Sequence, residues 1–390
     1  MKMNVLRKFL TLLAIFKSPS KILVKGPSRC DIVIFDLQED LVSLLGNLRV
    51  AVFDPRYAQI HLAPFLAGVL RWVKNGFAFT LTHHYFLSFL ASSRPKVVIT
   101  MVDNNSDLYS ARLAIVDKDL KFIVFQNGSR FITDFPKKPS LKPQDTFFCL
   151  TSAYVSPLKE TVAGDARVIP SGTLAAKLNE IENGKNSSEK SAGFISNWLP
   201  GQVLGGTLTV NGSVGNLVPH ATFYKPEIEL LPRLLTSTQR LGMTLEIIGR
   251  SDSAQEYAFY ESILGEAGWS FSPRVGNDRS YAKLALHTVL FAVDSTLGYE
   301  ALSGLKRVMF IDGSSGGGDR VPFGYPSNLE FAGSVLHLRS KSFSLWGSQI
   351  SKVLSMSDRE FFALAEKHVG KASISMHLDE VLALVREDLG

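Results

Sequence analysis

The sequence predicts an α/β chain made of two consecutive lobes, each a parallel sheet covered by helices on both faces. Three observations carry that expectation. Short, almost wholly apolar runs rich in Val, Ile and Phe alternate with helix-like segments from Asp31 to Leu338, the pattern of strands buried on both faces. The pattern breaks once, at the polar stretch ENGKNSSEKS (182–191), and then restarts. The length of 390 residues exceeds one ordinary core and suits two. Two Rossmann-like lobes facing a cleft, followed by C-terminal helices, are therefore expected. The expected divisions are an N-terminal segment over 1–28, a first lobe over 29–185, a second over 186–355 and terminal helices over 356–390.

In the first lobe the strand candidates are DIVIFDL (31–37), RVAVFD (49–54), KVVITMVDN (96–104), KFIVFQNG (121–128), TFFCLT (146–151) and RVIPSG (167–172). Apolar residues at helical spacing mark helices over Ala58–Lys74 and Tyr85–Ser93. In the second lobe the strands are AGFISNW (192–198), TLEIIGR (244–250), WSFSPRV (269–275), TVLFAVDS (288–295), KRVMFID (306–312) and SVLHL (334–338). Helices are expected over Pro226–Leu241 and Ser253–Ala267, and two more close the chain. The Gly- and Val-rich stretch 199–216 reads as a separate hairpin.

Composition narrows the function. Hydrophobic residues make up 45%, enough to bury two cores. The net charge of +6 is too mild to indicate nucleic acid, but suits an anionic membrane surface or a phosphate-bearing substrate. Cys30 and Cys149 lie in apolar runs outside any CxxC spacing and read as buried thiols of a reducing compartment. His83 and His84 are adjacent and no HExxH occurs, so no metal site is expected. The N-terminal stretch MKMNVLRKFLTLLAIFKSPSK sets basic residues around an apolar patch too short to span a bilayer. It fits either a basic amphipathic helix lying in a membrane interface or an ordinary helix docked on the core.

The chemistry is expected at strand ends. Asp294, Ser295 and Thr296 close a strand and open a helix, where hydroxyls, free N–H groups and the helix dipole together suit an anion, the alternative being a plainly capped helix. Glu300, one turn on, either supports that turn or takes a ribose hydroxyl. In IIGRSDS (247–253), Gly249 allows close approach, Arg250 suits a phosphate, and Ser251 or Ser253 caps the next helix. In the first lobe one strand ends on Asp103, Asn104 and Asn105, and the next on Gln126, Asn127, Gly128, Ser129 and Arg130. Asp103 is the best candidate for a general base or nucleophile, the alternative being an Asx-turn residue. The glycine run in DGSSGGGDRVPFGYPSN (312–328) lacks GK[ST] and reads as a lid or a plain loop.

Taken in order, VITMVDNN, FIVFQNGSR, FISNW, IIGRSDS, FYESILGEAGW, DSTLGYEALSGLKRVMFID and PFGYPSN resemble a family of bacterial surface-carbohydrate biosynthesis proteins, which look like GT-B-type glycosyltransferases. The resemblance runs from about Cys30 to about Leu338 and is strongest in DSTLGYEAL and QNGSR. The string STLGYEAL…KRV…FGY is also similar to the donor-side motif of capsule Kdo transferases, which use a CMP-activated acid sugar. The residues Ser303-Gly304-Leu305 stand where that pattern has a basic and a small residue.

The resemblance implies a nucleotide-sugar donor held in the second lobe by Ser295, Thr296, Arg250 and Ser251, with Glu300 at the ribose. Asp103, Asn104, Gln126, Asn127 and Arg130 would face it from the acceptor side. The donor is a substrate; no cofactor, metal or nucleic-acid partner is expected. The acceptor would be a glycan or lipid-linked glycan, with the protein cytoplasmic and able to sit on the inner face of the membrane. A nucleotide-sugar epimerase and a non-catalytic sugar-nucleotide-binding subunit are the alternatives.

Overall fold

The computed structural model describes residues 21–36, 41–42, 45–117, 119–128, 138–172, 190–198, 203–204, 207–209, 217–219, 224–274, 281–293, 295–303, 306–311, 334–369 and 378–387. Strand β1 (Lys21–Leu23) opens them, followed by β2 (Ile32–Phe35), β3 (Val50–Phe53) and β4 (Gln59–His61). Helices α1 (Leu62–Lys74) and α2 (Leu81–Ser93) lead to β5 (Val97–Thr100), α3 (Ser106–Ala114) and β6 (Lys121–Phe125). Next come β7 (Thr146–Cys149), α4 (Val155–Glu160) and β8 (Arg167–Pro170). The first sheet is parallel, in the order β3-β2-β5-β6-β7-β8. Its direction of winding reverses between β2 and β5.

The second lobe begins with β9 (Ser191–Ile195). Strands β10 (Val203–Leu204), β11 (Thr207–Thr209) and β12 (Leu217–Pro219) follow, then α5 (Lys225–Arg240), β13 (Thr244–Ile248), α6 (Ala254–Leu264) and β14 (Trp269–Ser272). Helix α7 (Tyr281–Leu284), β15 (Val289–Ala292), α8 (Thr296–Ser303), β16 (Val308–Ile311) and β17 (His337–Leu338) complete the lobe. This sheet is also parallel, ordered β14-β13-β9-β15-β16-β17. Renumbered within the lobe that order is 3-2-1-4-5-6, the dinucleotide-fold winding, with its switch point between β9 and β15.

The central strands β2, β5, β7 and β15 are buried at every position, so their apolar runs are continuous rather than alternating. Phe35 and Phe53 stack at 5.3 Å, and Phe86 of α2 meets each ring at 4.8 Å, fixing that helix on the β2–β3 edge. A fully buried ion pair ties α3 to the sheet. Arg112 donates from Nε and from one terminal nitrogen to the two oxygens of Asp145 at 2.7 and 3.1 Å. Asp145 also accepts the backbone N–H groups of Phe122 and Lys142, so its charge is well satisfied.

The chain ends in α9 (Trp346–Ser355), α10 (Asp358–Val369) and α11 (Leu378–Glu387). These do not form a unit of their own. Arg307, just before β16, bonds the carbonyls of Leu354 and Met356 and the Asp358 carboxylate, holding α10 on the second lobe. Val385 of α11 instead joins the first lobe's core with Ile32, Ile34, Leu41 and Leu45.

Two local expectations change. The helix expected from Ala58 starts at Leu62, because Gln59–His61 pairs in parallel with Lys21–Leu23 and the Asp54 carboxylate takes the Gln59 N–H. Residues 1–20 of the N-terminal segment lie outside the described residues. The 199–216 stretch contributes to three antiparallel strands, β10-β11-β12, rather than to a hairpin alone. The glycine run 312–328 and most of the 182–191 break lie outside the described residues.

Replacing Asp145 by Ala leaves a buried, unpaired guanidinium and is expected to cost about 3–5 kcal/mol, read as a lowered urea midpoint with an unchanged slope.

Candidate functional site

Residues following four strands of the second sheet make the site. Ser196, Asn197 and Trp198 follow β9; Gly249, Arg250 and Ser251 follow β13; Pro273 and Arg274 follow β14; Val293 leads from β15 toward α8. Adjacent strands lie about 4.8 Å apart, so the ends of β13 and β15, which flank β9, are separated by about 10 Å.

Glu256 organises the β13 side. Its carboxylate is wholly buried and accepts from Ser196 Oγ at 2.5 Å, the Arg250 N–H at 2.8 Å, the Ser251 N–H at 2.8 Å and Ser251 Oγ at 2.7 Å. Tyr260 donates its hydroxyl to Ser196 Oγ at 2.8 Å, extending the network into the core. Ser253 caps α6 by accepting the Gln255 N–H. Gly249 is required by space, since a Cβ there would lie 2.8 Å from the Phe271 ring and 3.1 Å from the Ser272 carbonyl. Ser251, expected at the donor, is thus committed to Glu256 by both its N–H and its hydroxyl.

Arg250 and Arg274 are different. Among the described residues neither guanidinium has an ion pair or hydrogen bond, and Arg274 Nε is buried without a partner. Arg250 is open to solvent, yet desolvation by the protein around it pulls its pKa below the ordinary value, with Tyr224 and Glu256 opposing that shift and Arg274 adding to it. Two cations without a partner among the described residues, Arg250 accessible to water though surrounded by protein, are groups that an anion satisfies.

Across the switch point, Ser295 and Thr296 are half-buried and their hydroxyls have no hydrogen-bond partner among the described residues. Gly298 donates its N–H to the Ser295 carbonyl at 3.0 Å. A Cβ at Gly298 would lie 2.7 Å from Ala292 Cβ, so the glycine lets the α8 N-terminus settle on the end of β15. Asp294 lies outside the described residues. Glu300 faces inward: it is 5% exposed and accepts the Tyr281 hydroxyl at 2.7 Å.

The first lobe meets this helix directly. A Cβ at Gly128 would come within 2.7 Å of Thr296 Oγ1, so the loop after β6 abuts the α8 N-terminus. Gln126 braces that loop, donating to the Gly128 carbonyl at 2.9 Å and accepting the Leu150 N–H at 2.8 Å. Asn127 and Asn104 are exposed. Asp103 is closed to solvent, and its carbonyl accepts the Tyr109 hydroxyl at 2.6 Å. Arg130 lies outside the described residues. Two acidic positions thus stand at the first lobe's switch point, Asp103 after β5 and Asp36 after β2. Asp36 is 3% exposed, holds a left-handed φ of 85°, and accepts from Arg56 at 2.9 Å.

The sequence reading omits Glu256, Arg274, Ser196 and Asp36. Ser253-Ala-Gln-Glu256 carries a capping-box spacing that marks Glu256, although its side chain reaches the turn before Ser253 rather than the cap itself. Arg274 stands two residues past a strand behind a proline, a weaker signal.

Two parallel-sheet lobes of dinucleotide-fold type, meeting at their strand ends and exchanging a terminal helix, define a GT-B-type α/β protein. Residues 124–368 match the family described as "putative O-antigen biosynthesis protein", more than half of the chain, and the protein belongs to that family. No curated protein sequence matches it. Among solved structures it is similar to a "putative UDP-N-acetylglucosamine 2-epimerase" from Listeria monocytogenes, with a TM-score of 0.55 at 10% identity over 92% of this chain and 96% of the other. S. aureus MnaA with UDP gives 0.53 at 14% identity over 95% and 97%. The UDP-GlcNAc 2-epimerase from Neisseria meningitidis bound to UDP-GlcNAc gives 0.50 at 10% identity over 91% and 98%. These likenesses agree with the two-lobed fold.

Glu256→Gln removes the charge that gathers four donors and is expected to destabilise the protein by about 2 kcal/mol, read by urea unfolding.

Proposed function

We propose that the protein is a glycosyltransferase that holds a nucleotide-sugar donor at the strand ends of the second lobe and transfers its sugar to a surface-glycan precursor presented by the first. The observation that carries this reading is a set of donors at one switch point that have no partner among the described residues: the Arg250 and Arg274 guanidiniums on one side, and the Ser295 and Thr296 hydroxyls with the α8 N-terminus on the other. The span of about 10 Å between the ends of β13 and β15, across the end of β9, suits a diphosphate or a phosphate with its ribose. In such a site the helix N-terminus and guanidiniums stabilise the charge that builds on the leaving phosphate as the glycosidic bond breaks. The family description supports the surface-glycan product.

Asp103 is the proposed base or nucleophile toward the acceptor. Its complete burial requires the Val102–Asn105 turn to shift when the acceptor binds. The acceptor is proposed to be lipid-linked, with the protein working at the inner face of the cytoplasmic membrane. A second reading, nucleotide-sugar epimerisation, draws on the fold shared with the UDP-GlcNAc 2-epimerase bound to UDP-GlcNAc. It needs no acceptor.

Thermal shift against UDP, CMP, CDP and GDP tests the donor site in the wild type, in Ser295→Ala/Thr296→Ala and in Asp103→Asn. One nucleotide at a hundred times its Kd is expected to add about 2.7 kcal/mol of stability to the wild type and to Asp103→Asn, and little to the double variant. CMP as the stabilising ligand would point to an acid-sugar donor. Turnover in Asp103→Asn is expected to fall at least about 100-fold. A wild type unmoved by all four nucleotides overturns the reading, and a C2-epimerised sugar nucleotide formed without acceptor replaces it with the epimerase.

A further inference from the structure

The outer face of the first lobe carries a second feature, unrelated to the strand ends. A cavity of about 900 Å³ runs over α2 and is lined by Arg29, Arg71 and Arg94 together with Phe79, Leu87 and Val116. Among the described residues of its lining Asp117 is the only carboxylate. Among the described residues none of the three guanidiniums forms an ion pair.

Phe79 and Val116 of that lining are exposed, the latter at 88%, and so are Leu66, Leu70 and Val73 on α1, the helix that supplies Arg71, and Leu113 on α3. These six are half of the twelve large exposed hydrophobic residues among the described residues. Helix α1 is apolar on two sides. Pro64, Phe65, Gly68 and Trp72 pack inward, with Gly68 so close to α2 that a Cβ would lie 2.6 Å from Tyr85 Cα. Leu66, Leu70 and Val73, at spacings of four and three, share the opposite side with Arg71 and Lys74 nearby in sequence. A helix face turned to water is ordinarily polar, and this one is not.

We propose that this face docks the protein on an anionic lipid surface, the apolar side chains entering the headgroup–acyl boundary and Arg29, Arg71 and Arg94 meeting lipid phosphates. Charge complementarity selects that occupant. A second copy using the same face would set these unpaired arginines against one another, which like-charge repulsion disfavours. A free nucleotide would leave the protruding Leu66 and Val116 uncovered. The inference itself needs no glycosyl transfer.

Sedimentation of the full chain with vesicles of phosphatidylcholine alone, or of phosphatidylcholine with one quarter phosphatidylglycerol, tests it. The wild type is expected to bind the anionic vesicles at least tenfold more tightly. Leu70→Ser/Val73→Ser and Arg71→Glu/Arg94→Glu are each expected to lose at least tenfold of that binding while keeping the wild-type melting temperature and nucleotide response. Arg7→Glu/Lys8→Glu, in the N-terminal segment, controls for binding by residues outside this face. The proposal is overturned if the wild type does not bind, if the face variants bind as the wild type does, if only the N-terminal variant loses binding, or if sedimentation velocity shows a dimer that the face variants dissolve. Because nucleotide response is read on the same variants, failure here and failure of the donor-site reading are distinguishable.

Discussion

The contact on which the site depends is the one between Gly128 and Thr296. It brings the loop after β6 of one lobe against the first turn of α8 in the other, with no room for a methyl group between them. An alanine at 128 would need the lobes to part by several tenths of an ångström or the Thr296 side chain to turn. Gln126 braces the loop from below, and Gly298 lets α8 sit low enough on β15 to be reached. Opposed strand ends would otherwise remain two separate edges. Joined here, they form a crevice with donor groups on one wall and the exposed Asn104 and Asn127 amides on the other, Asp103 lying buried behind them.

The second wall divides its polar groups between structure and binding. Glu256 consumes the turn's own donors, so the Arg250–Ser251 backbone is fixed before any ligand arrives. What has no partner among the described residues there is cationic or hydroxylic: Arg250, Arg274, Ser295 and Thr296. An anion entering this space finds donors already positioned, and little reorganisation is then needed as leaving-group charge develops. Ser251 and Glu300 belong to the framework, since each is held by a partner inside the protein.

Much of the fold was legible because strands buried on both faces must be apolar at consecutive positions, as in Ile32–Phe35, Val97–Thr100 and Val289–Ala292. The strand Gln59–His61 was not, since three residues ahead of a strong helical periodicity carry no signal apart from a partner at Lys21–Leu23 far away in sequence. The return of α11 to the first lobe was hidden for the same reason: an amphipathic helix shows that it has a partner but not which lobe supplies it. The positions of Ser295–Thr296 at the opening of α8 and of Arg250 just past β13 are those the sequence pattern expects. The burial of Asp103 and Glu300 could not be read, because polarity in a sequence does not say whether a group faces water or a buried hydroxyl.

Hydrogen–deuterium exchange of the full chain, with and without the nucleotide that stabilises it most, tests most directly whether the crevice is the donor site. Slowed exchange is predicted at residues 196–198, 249–251 and 295–300 of the second lobe and at 126–128 across the contact. Protection confined to α1–α3, or no change at any of these segments while the nucleotide is bound, would contradict the account.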